Sequence, residues 1–203
     1  FRVLMDSVLY FIIKPKKDRY NNIKKIGDKD LIVNTDNFQH QYVSREATVI
    51  STPKAFNTEI KPGDDIIVHH NVFRRWKDVK GREQNSFNYI KDNLYFLEPD
   101  RIFAYKRNNK WNAVRDYCFV KPIYSNNIIL DNKEEPLIGI LKYTDNNLSL
   151  KNGDLIGFTP NSEYEFIING ERLYRVMTKD IAIKYEYKGN EKEYNPSWTE
   201  SSR

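Results

Sequence analysis

The sequence predicts an all-β protein that contains two similar domains in tandem. Its apolar runs are short, rich in Val, Ile, Tyr and Phe, and separated by Gly, Pro and Asn, and long helical periodicity is missing. Aromatic residues make up 14% of the 203 residues, and their flat rings pack well on a pleated surface. A set of short motifs also occurs twice in the same order, which indicates a duplicated unit.

Eleven segments have the composition and length of β-strands. Turn-forming residues separate them, as hairpins and loops require. Many short strands of this kind are typical of barrels and sandwiches. The predicted strands cover residues 8–13, 47–51, 65–69, 93–97, 102–106, 117–123, 138–143, 154–159, 164–168, 173–177 and 181–185.

Three pairs of motifs carry the internal repeat. They are a Lys-x-Gly-Asp turn before a strand, an Asp-led apolar strand that ends in Lys-Pro, and a Leu-Tyr pair before the last strand. Gly63 and Gly153 suit a turn position with positive φ, and the Asp that follows each can bond the turn backbone. The matching segments are residues 60–66 and 150–156, residues 6–15 and 116–122, and residues 94–102 and 173–181.

The repeat places a domain boundary in the polar stretch 107–112, in which Trp111 is the one apolar residue. We therefore predict a first domain over residues 1–107 and a second over residues 112–187. The remaining residues, 188–203, form a polar tail that we expect to be flexible.

The charge pattern does not predict a nucleic-acid partner. The formal charge is +5, and the local basic runs are residues 14–17 and 74–77. A nucleic-acid interpretation needs a basic face on a recognisable module, and the sequence contains none. We interpret both runs as solvated loops. The apolar runs are also too short for a membrane helix, so we expect no membrane partner.

The order of the repeated motifs resembles the GroES (ten-kilodalton co-chaperonin) family. The resemblance covers most of residues 3–186 and implies two tandem GroES-like β-barrels, similar to the double co-chaperonin of chloroplasts. In the first copy the matching residues are 4–6, 31–33, 47–50, 61–68, 94–97 and 102–104, and in the second they are 114–116, 128–130, 139–141, 151–154, 173–174 and 181–183.

The resemblance also implies partner-binding residues. Members of the family bind a chaperonin ring through an apolar tripeptide in a mobile loop. The matching triplets here are Leu31-Ile32-Val33, within the polar stretch 15–37, and Ile128-Ile129-Leu130. The alternative interpretation is that each triplet is part of a buried strand.

The sequence departs from the family in three respects. Asp and Lys, or two Asn, precede the triplets in place of the usual Gly-Gly, and the segment before each Lys-x-Gly-Asp turn is too short for the family's roof hairpin. A reduced roof occurs in some phage-encoded co-chaperonins. Residues 72–92 are also longer than their counterpart in the second copy, and we predict an additional contact surface there. Its candidate residues are Arg74, Arg75, Trp76, Phe87 and Tyr89.

No motif for catalysis, a cofactor or a metal is found. His69 and His70 are adjacent on a predicted strand, where successive side chains point to opposite faces, so we do not expect them to share a metal. There is no Gly-rich phosphate loop. The single cysteine, Cys118, lies in an apolar run and is predicted to be a buried structural thiol.

Two functions remain. The first is a co-chaperonin that caps a chaperonin ring in the cytoplasm, or in the host cytoplasm if the chain is phage-encoded. The second is a structural protein of a virion that uses the same barrel as an assembly module and binds other virion proteins. Either function implies a homo-oligomer and no chemical reaction. Both functions remain open because a fold alone does not determine a function.

Overall fold

The computed structural model describes residues 7–20, 23–26, 29–32, 42–125, 134–144, 149–186, 189 and 191–194, with only the backbone described for residues 23–26 and 29–32. In this part of the chain the secondary structure is almost entirely β. The strands are β1 (Phe11–Pro15), β2 (Ile23–Ile26), β3 (Lys29–Ile32), β4 (Glu46–Ser51), β5 (Asp65–Val68), β6 (Trp76–Lys77), β7 (Glu83–Gln84), β8 (Tyr95–Leu97), β9 (Ile102–Arg107), β10 (Lys110–Ala113), β11 (Tyr117–Tyr124), β12 (Glu134–Tyr143), β13 (Leu155–Phe158), β14 (Tyr164–Ile168), β15 (Glu171–Met177) and β16 (Ile181–Tyr185). Short 3-10 helices span His70–Val72, Pro99–Arg101 and Thr178–Asp180.

The chain divides into two compact units, Phe1–Lys110 and Trp111–Arg203. Two six-stranded sheets dominate the fold, with the orders β10-β9-β5-β4-β1-β8 and β14-β15-β11-β12-β13-β16. Within the described ranges neither sheet closes into a barrel, because the strands at its two edges do not pair with each other. The all-β class is therefore confirmed, and the two closed barrels are not.

The core of the first unit comes from its central strands. Residues 66–68 of β5 are buried in succession, as expected for a strand with neighbours on both sides. Tyr95 and Leu97 of β8 are buried, whereas Phe96 between them is exposed, which is the alternation of a strand with one covered face. Other buried members of this core are Phe11, Ile13, Val49, Ile102 and Ala104.

The core of the second unit has Cys118 within it. The thiol is fully buried, and its Sγ donates a hydrogen bond to the carbonyl oxygen of Val176 at 3.5 Å. Burial raises the pKa of Cys118 to about 12. The prediction of a buried structural thiol is confirmed. Its buried neighbours in one cluster are Val120, Leu141, Ile156, Phe158 and Val176.

The two sheets repeat the same strand order. The first contains the run β8-β1-β4-β5-β9, and the second contains the run β15-β11-β12-β13-β16. A 3-10 helix precedes the last strand of each run. Each strand of one run therefore has a counterpart in the other run.

The registers of the paired strands also match. Pro15 pairs with Ala47, which pairs with Ile66; in the second unit Pro122 pairs with Gly139, which pairs with Ile156. The Lys-Pro, Gly-Asp and Leu-Tyr motifs consequently occupy equivalent positions. The ladders are interrupted at equivalent points too, between residues 12 and 13 and between residues 119 and 120. The internal repeat predicted from sequence is confirmed at this level.

The Gly-Asp turns are the most similar parts of the two units. Gly63 has φ 93° and Gly153 has φ 97°, a conformation that L side chains rarely adopt. The Gly63 amide donates to the Val49 carbonyl oxygen at 2.8 Å, and the Gly153 amide donates to the Leu141 carbonyl oxygen at 2.7 Å. The turn chemistry read from the sequence is therefore correct in both copies.

The segment before β8 contains a shorter version of the β14–β15 hairpin. Tyr89 bridges to Tyr95, and the equivalent pair in the second unit is Glu165 and Tyr174. The turn that follows Tyr89 uses positive φ at residues 92 and 93. The part of residues 72–92 without a counterpart therefore ends before residue 88.

Five strands were not predicted. β10 lies in the stretch expected to be the polar boundary, because Asn108 and Asn109 adopt positive φ and turn the chain back after β9. β2 and β3 form a separate two-stranded hairpin in a stretch expected to be a loop, and β6 and β7 form another. Strands of two to four residues carry too little periodicity to be recognised from sequence.

Candidate partner-binding surface

The extra segment of the first unit begins with the 3-10 helix His70–Val72 and continues as a two-stranded ribbon. β6 pairs with β7, with Trp76 opposite Gln84. At the tip, Asp78 Oδ1 accepts hydrogen bonds from the amides of Lys80 and Arg82 at 2.9 Å each. The turn thus satisfies backbone donors that would otherwise need water. We call residues 74–87 the ribbon.

The base of the ribbon is fixed to the body of the first unit. Phe73 is fully buried and packs edge-on against Tyr95, with ring centroids 4.9 Å apart. The Arg19 guanidinium donates to the Phe73 carbonyl oxygen at 2.9 Å, and the Arg75 amide donates to the Tyr20 hydroxyl at 2.6 Å. These contacts join segments that are distant in sequence, so the base of the ribbon has a defined position.

Two aromatic rings are stacked on the ribbon. The centroids of Trp76 and Phe87 lie 6.2 Å apart with an interplanar angle of 29°. Trp76 Nε1 donates to the Asn85 carbonyl oxygen at 3.0 Å, so the polar edge of the indole is already satisfied. The Phe87 side chain is 96% exposed and Trp76 is 40% exposed. Their apolar surface is therefore available to a partner.

The stacked rings belong to a cleft of about 750 Å³. A second pair of rings, Tyr10 and Phe96, lines the same cleft with centroids 5.7 Å apart. We call this feature the ribbon cleft. It is lined by Tyr10, Asn71, Arg74, Trp76, Ser86, Phe87, Asn88, Phe96, Glu98 and Arg101.

The charged groups of the ribbon cleft leave a small positive excess. Two arginines, Arg74 and Arg101, face one carboxylate, Glu98, so the formal charge of the lining is +1. Arg101 Nε lies 2.6 Å from Glu98 Oε2, and these two charges balance each other. The cleft therefore combines an aromatic lining with a formal charge of +1.

The five residues predicted for this surface fall into two groups. Arg74, Trp76 and Phe87 line the ribbon cleft. Arg75 and Tyr89 do not: Arg75 pairs with Glu83 at 2.6 Å, and the Tyr89 ring packs against Tyr95 at 5.4 Å. Arg75 thus stabilises the ribbon, and Tyr89 packs against a residue of β8.

Sequence reasoning missed the part of the cleft that comes from the body of the unit. Phe96 is the outward residue between buried Tyr95 and Leu97, but residues 94–97 are all apolar, so the sequence does not show which of them faces outward. Tyr10 and Arg101 are brought to the cleft by tertiary structure, and no local pattern marks them.

Each triplet lies between the first and second strands of its repeat, β1 and β4 or β11 and β12. Leu31 and Ile32 are in β3, opposite Lys24 and Ile23 of β2. Val33, Ile128, Ile129 and Leu130 lie outside the described residues. The partner-binding role of the triplets stays a prediction.

The second unit contains a smaller cleft of about 360 Å³ built around an ion-pair network. Arg172 lies 3.0 Å from a carboxylate oxygen of Glu134 and 3.0 Å from one of Glu165. The Tyr174 hydroxyl donates to Glu134 at 2.7 Å, and burial together with this hydrogen bond raises the pKa of Tyr174. The network connects β12, β14 and β15, so we interpret it as structural.

Residues 191–194 lie along β11, whereas a flexible tail was expected from residue 188 onward. The Tyr124 amide donates to the Lys192 carbonyl oxygen at 2.8 Å, and the Tyr194 amide donates to the Pro122 carbonyl oxygen at 2.9 Å. Tyr124 and Tyr194 also pack edge-on with centroids 4.8 Å apart. These backbone pairs extend the β11 ladder with a segment beyond β16.

The two adjacent histidines were expected to alternate across a strand, but they do not. β5 ends at Val68, and His69 caps the following 3-10 helix by accepting a hydrogen bond from the Asn71 amide at 3.2 Å. The rings of His69 and His70 are consequently neighbours, with centroids 4.2 Å apart. In the described residues no cluster of three or more His, Cys, Asp or Glu has the arrangement of a metal site.

Comparison with known proteins does not assign the chain to a family: no family model matches it, and no curated protein matches it significantly. Among the described residues, no helix has the length and apolar character needed to cross a membrane.

Proposed function

We propose that this chain is a co-chaperonin that binds a chaperonin ring through its two apolar triplets. The observation that carries the proposal is the equivalence of the two connections in which the triplets lie. Both follow a strand that contains the Lys-Pro motif, β1 or β11, and both precede the strand that pairs with it, β4 or β12. A duplicated apolar triplet in a duplicated connection is expected if both copies make the same contact.

The β2–β3 hairpin supports this proposal. Within the described residues, β2 and β3 form a separate two-stranded sheet and are not hydrogen-bonded into a six-stranded sheet. An isolated two-stranded hairpin is marginally stable in water, so rearranging it on binding costs little. Full burial of a triplet would contribute roughly 5–8 kcal/mol before the cost of ordering is subtracted. A ring of such contacts then gains affinity by avidity.

We further propose that each six-stranded sheet curls into a GroES-like barrel. The matched interruptions in the first ladder of each unit support this, because bulges bend a strand and increase its twist. The shared positions of the Gly-Asp turn and the last 3-10 helix support it as well. On this proposal the protein forms a homo-oligomer, binds without catalysing a reaction, and works where its chaperonin is, in the cytoplasm.

The test is a double substitution at the triplet centres, Ile32→Asp with Ile129→Asp. A carboxylate entering an apolar groove carries a desolvation cost of several kcal/mol, and every subunit repeats it. We expect the wild-type protein to co-sediment with the chaperonin ring of its own organism in the presence of ATP, and the double variant to remain in the supernatant with an unchanged melting temperature.

Two results would contradict the proposal. Wild-type protein that never co-sediments with the ring excludes a co-chaperonin. A variant that melts much earlier than the wild type identifies the triplets as buried strand residues and not as anchors.

A structural role in a virion is the second candidate. The ribbon cleft favours it, since the described residues of the second unit contain no counterpart of the ribbon, and such an added surface could serve as an assembly contact. Detection of the chain in purified virions, with no chaperonin binding in the co-sedimentation experiment, would establish this role.

A further inference from the structure

The ribbon cleft has the composition of a preformed binding site. It brings four aromatic rings together, and Phe87 is almost fully exposed although it stacks on Trp76. Exposed rings that cluster in a concave surface usually mark an interaction site. The ribbon is also anchored at its base by Arg19 and Arg75, so little ordering is needed when a ligand binds.

The polar groups of the cleft indicate what kind of surface a ligand would meet. The Trp76 indole N–H is bonded to the Asn85 carbonyl oxygen, and the Asn88 amide nitrogen is bonded to the Phe96 carbonyl oxygen at 2.9 Å. Ser86 Oγ donates to the Val72 carbonyl oxygen at 2.6 Å. Each of these three side chains donates a hydrogen bond within the protein, so much of what they offer a ligand in the cleft is apolar surface.

Charge selects the ligand further. Residues 72–92 contain six Lys and Arg against three Asp and Glu, a net charge of +3, while the whole chain has +5. More than half of the net charge is therefore concentrated in about a tenth of the chain. A partner with negative charge is favoured in encounter and in binding.

We propose that the ribbon cleft binds an acidic peptide segment that carries one aromatic or large aliphatic side chain. The apolar side chain packs among Trp76, Phe87 and Phe96, and the acidic flanks of the peptide lie towards Arg74 and the basic ribbon. The lining itself has a charge of only +1, because Glu98 balances Arg101. That suits a few carboxylates better than a nucleic-acid strand, which carries a phosphate at every nucleotide. The proposal does not depend on the co-chaperonin function, because it is argued only from described lining residues, and these do not belong to a triplet.

The experiment is a selection from a phage-displayed library of random dodecapeptides on the immobilised full chain. We expect enrichment of peptides in which Phe, Trp, Tyr or Leu is flanked by Asp or Glu. An enriched peptide is then synthesised with a fluorescent label, and its affinity is measured by fluorescence anisotropy.

Two matched substitutions locate the binding site. Phe87→Ala should weaken binding of the peptide by about tenfold or more, as expected for an aromatic hot spot. Val79→Ala is the control, because Val79 is fully exposed on the same ribbon but does not line the cleft, and it should leave affinity unchanged. Since both side chains are exposed, both variants should keep the wild-type melting temperature.

Several outcomes would overturn the inference. They are a selection without enrichment, an enriched motif without acidic residues, and a peptide affinity that Phe87→Ala does not change. Displacement of the peptide by a short oligothymidine at lower concentration than by unlabelled peptide would assign the cleft to single-stranded nucleic acid instead.

Discussion

The Asp154 carboxylate accepts a hydrogen bond from the Lys151 amide at 2.9 Å, within the turn that leads into β13. The equivalent bond in the first unit joins Asp64 and the Lys61 amide at 2.8 Å. In each case the carboxylate closes a turn whose Gly has positive φ. The same side-chain bond therefore stabilises the entry to the same strand twice in one chain.

Replacing Asp64 by Ala should destabilise the first unit by at least about 1 kcal/mol, because it removes both the hydrogen bond from the Lys61 amide and the ion pair with Arg107. The Lys61 amide then loses its side-chain acceptor. Urea unfolding measures the change, and Lys61→Ala is the control, because it keeps the amide and removes only an exposed side chain. A control that costs as much as Asp64→Ala would show that the turn bond contributes little.

Acid should weaken the second Gly-Asp turn. The side-chain hydrogen bond from Lys184, together with the bond from the Lys151 amide, lowers the pKa of Asp154 below its ordinary value of 3.8. A carboxyl group whose pKa is lower in the folded state than in the unfolded state stabilises the fold at pH values above the unfolded-state pKa. This contribution is lost as the pH falls through the folded-state pKa. Asp154→Asn should therefore reduce the slope of stability against pH below about pH 4. Thermal melts across this pH range measure the slope. An unchanged slope in Asp154→Asn would contradict the assignment.

Gly139 should not tolerate a side chain. A Cβ at this position would lie 2.5 Å from the Lys121 carbonyl oxygen and 2.6 Å from Val120 Cγ1. Backbone cannot shift as easily as a side-chain end, so Gly139→Ala should cost about 2–3 kcal/mol in urea unfolding.

Gly157→Ala provides the comparison for Gly139. Its Cβ would meet Tyr185 Cε2 at 3.0 Å, and this ring is the far end of a side chain that can move. We expect a smaller loss of stability than for Gly139→Ala. The reverse ranking would mean that the backbone of β11 yields more readily than the Tyr185 ring.

Lys121 and Lys14 occupy equivalent positions but should respond differently to substitution. Lys121 is 2% exposed and lies 3.7 Å from carboxylate oxygens of Glu171 and Glu193, whereas Lys14 is exposed. Lys121→Ala should cost about 2–3 kcal/mol, because packing and a buried charge partner are both lost. Lys14→Ala should change stability by less than about 0.5 kcal/mol.

Hydrogen exchange at the Tyr124 amide also distinguishes Lys121→Ala from Lys14→Ala. The Tyr124 amide donates to Lys192, next to Glu193, so its exchange should accelerate in Lys121→Ala. It should remain slow in Lys14→Ala. Equal exchange in both variants would mean that Lys121 does not hold residues 191–194 in place.

Cys118 should resist alkylation in the folded protein. Burial raises its pKa to about 12, so the neutral thiol dominates below that pH. The folded state therefore has a contribution to stability that is complete below the ordinary pKa of 9.0 and is lost as the pH rises towards 12. Labelling with iodoacetamide at pH 8 should occur only through unfolding and should accelerate in urea. Rapid labelling without denaturant would show an accessible thiol.

The sequence predicted the elements that have local chemical signatures. Gly63 and Gly153 mark turns because positive φ is needed there, and the motifs around them revealed the repeat. The predicted arrangement of His69 and His70 was wrong, because nothing in the sequence shows that β5 ends at Val68 and that His69 caps a 3-10 helix.

The ribbon cleft was predicted only in part, for a physical reason. Its ribbon residues are close enough in sequence to be recognised as an aromatic and basic cluster. Phe96, in contrast, comes from the edge strand β8, and Tyr10 directly precedes β1. Their meeting with Trp76 and Phe87 depends on tertiary anchoring by Arg19 and Phe73. Such contacts are long-range and leave no periodic signal in the chain.

The register of the two units fixes the stoichiometry of any ligand of the cleft. Phe96 is paired with Ile12, and its equivalent in the second unit is Arg175, which is paired with Phe119. Arg175 lies over the rings of Tyr117 and Tyr164 instead of exposing an apolar face. A peptide bound in the cleft should therefore saturate at one molecule per chain, whereas contacts made through the triplets should saturate at two. Calorimetric titration with an enriched peptide measures the first stoichiometry, and titration with the chaperonin ring measures the second.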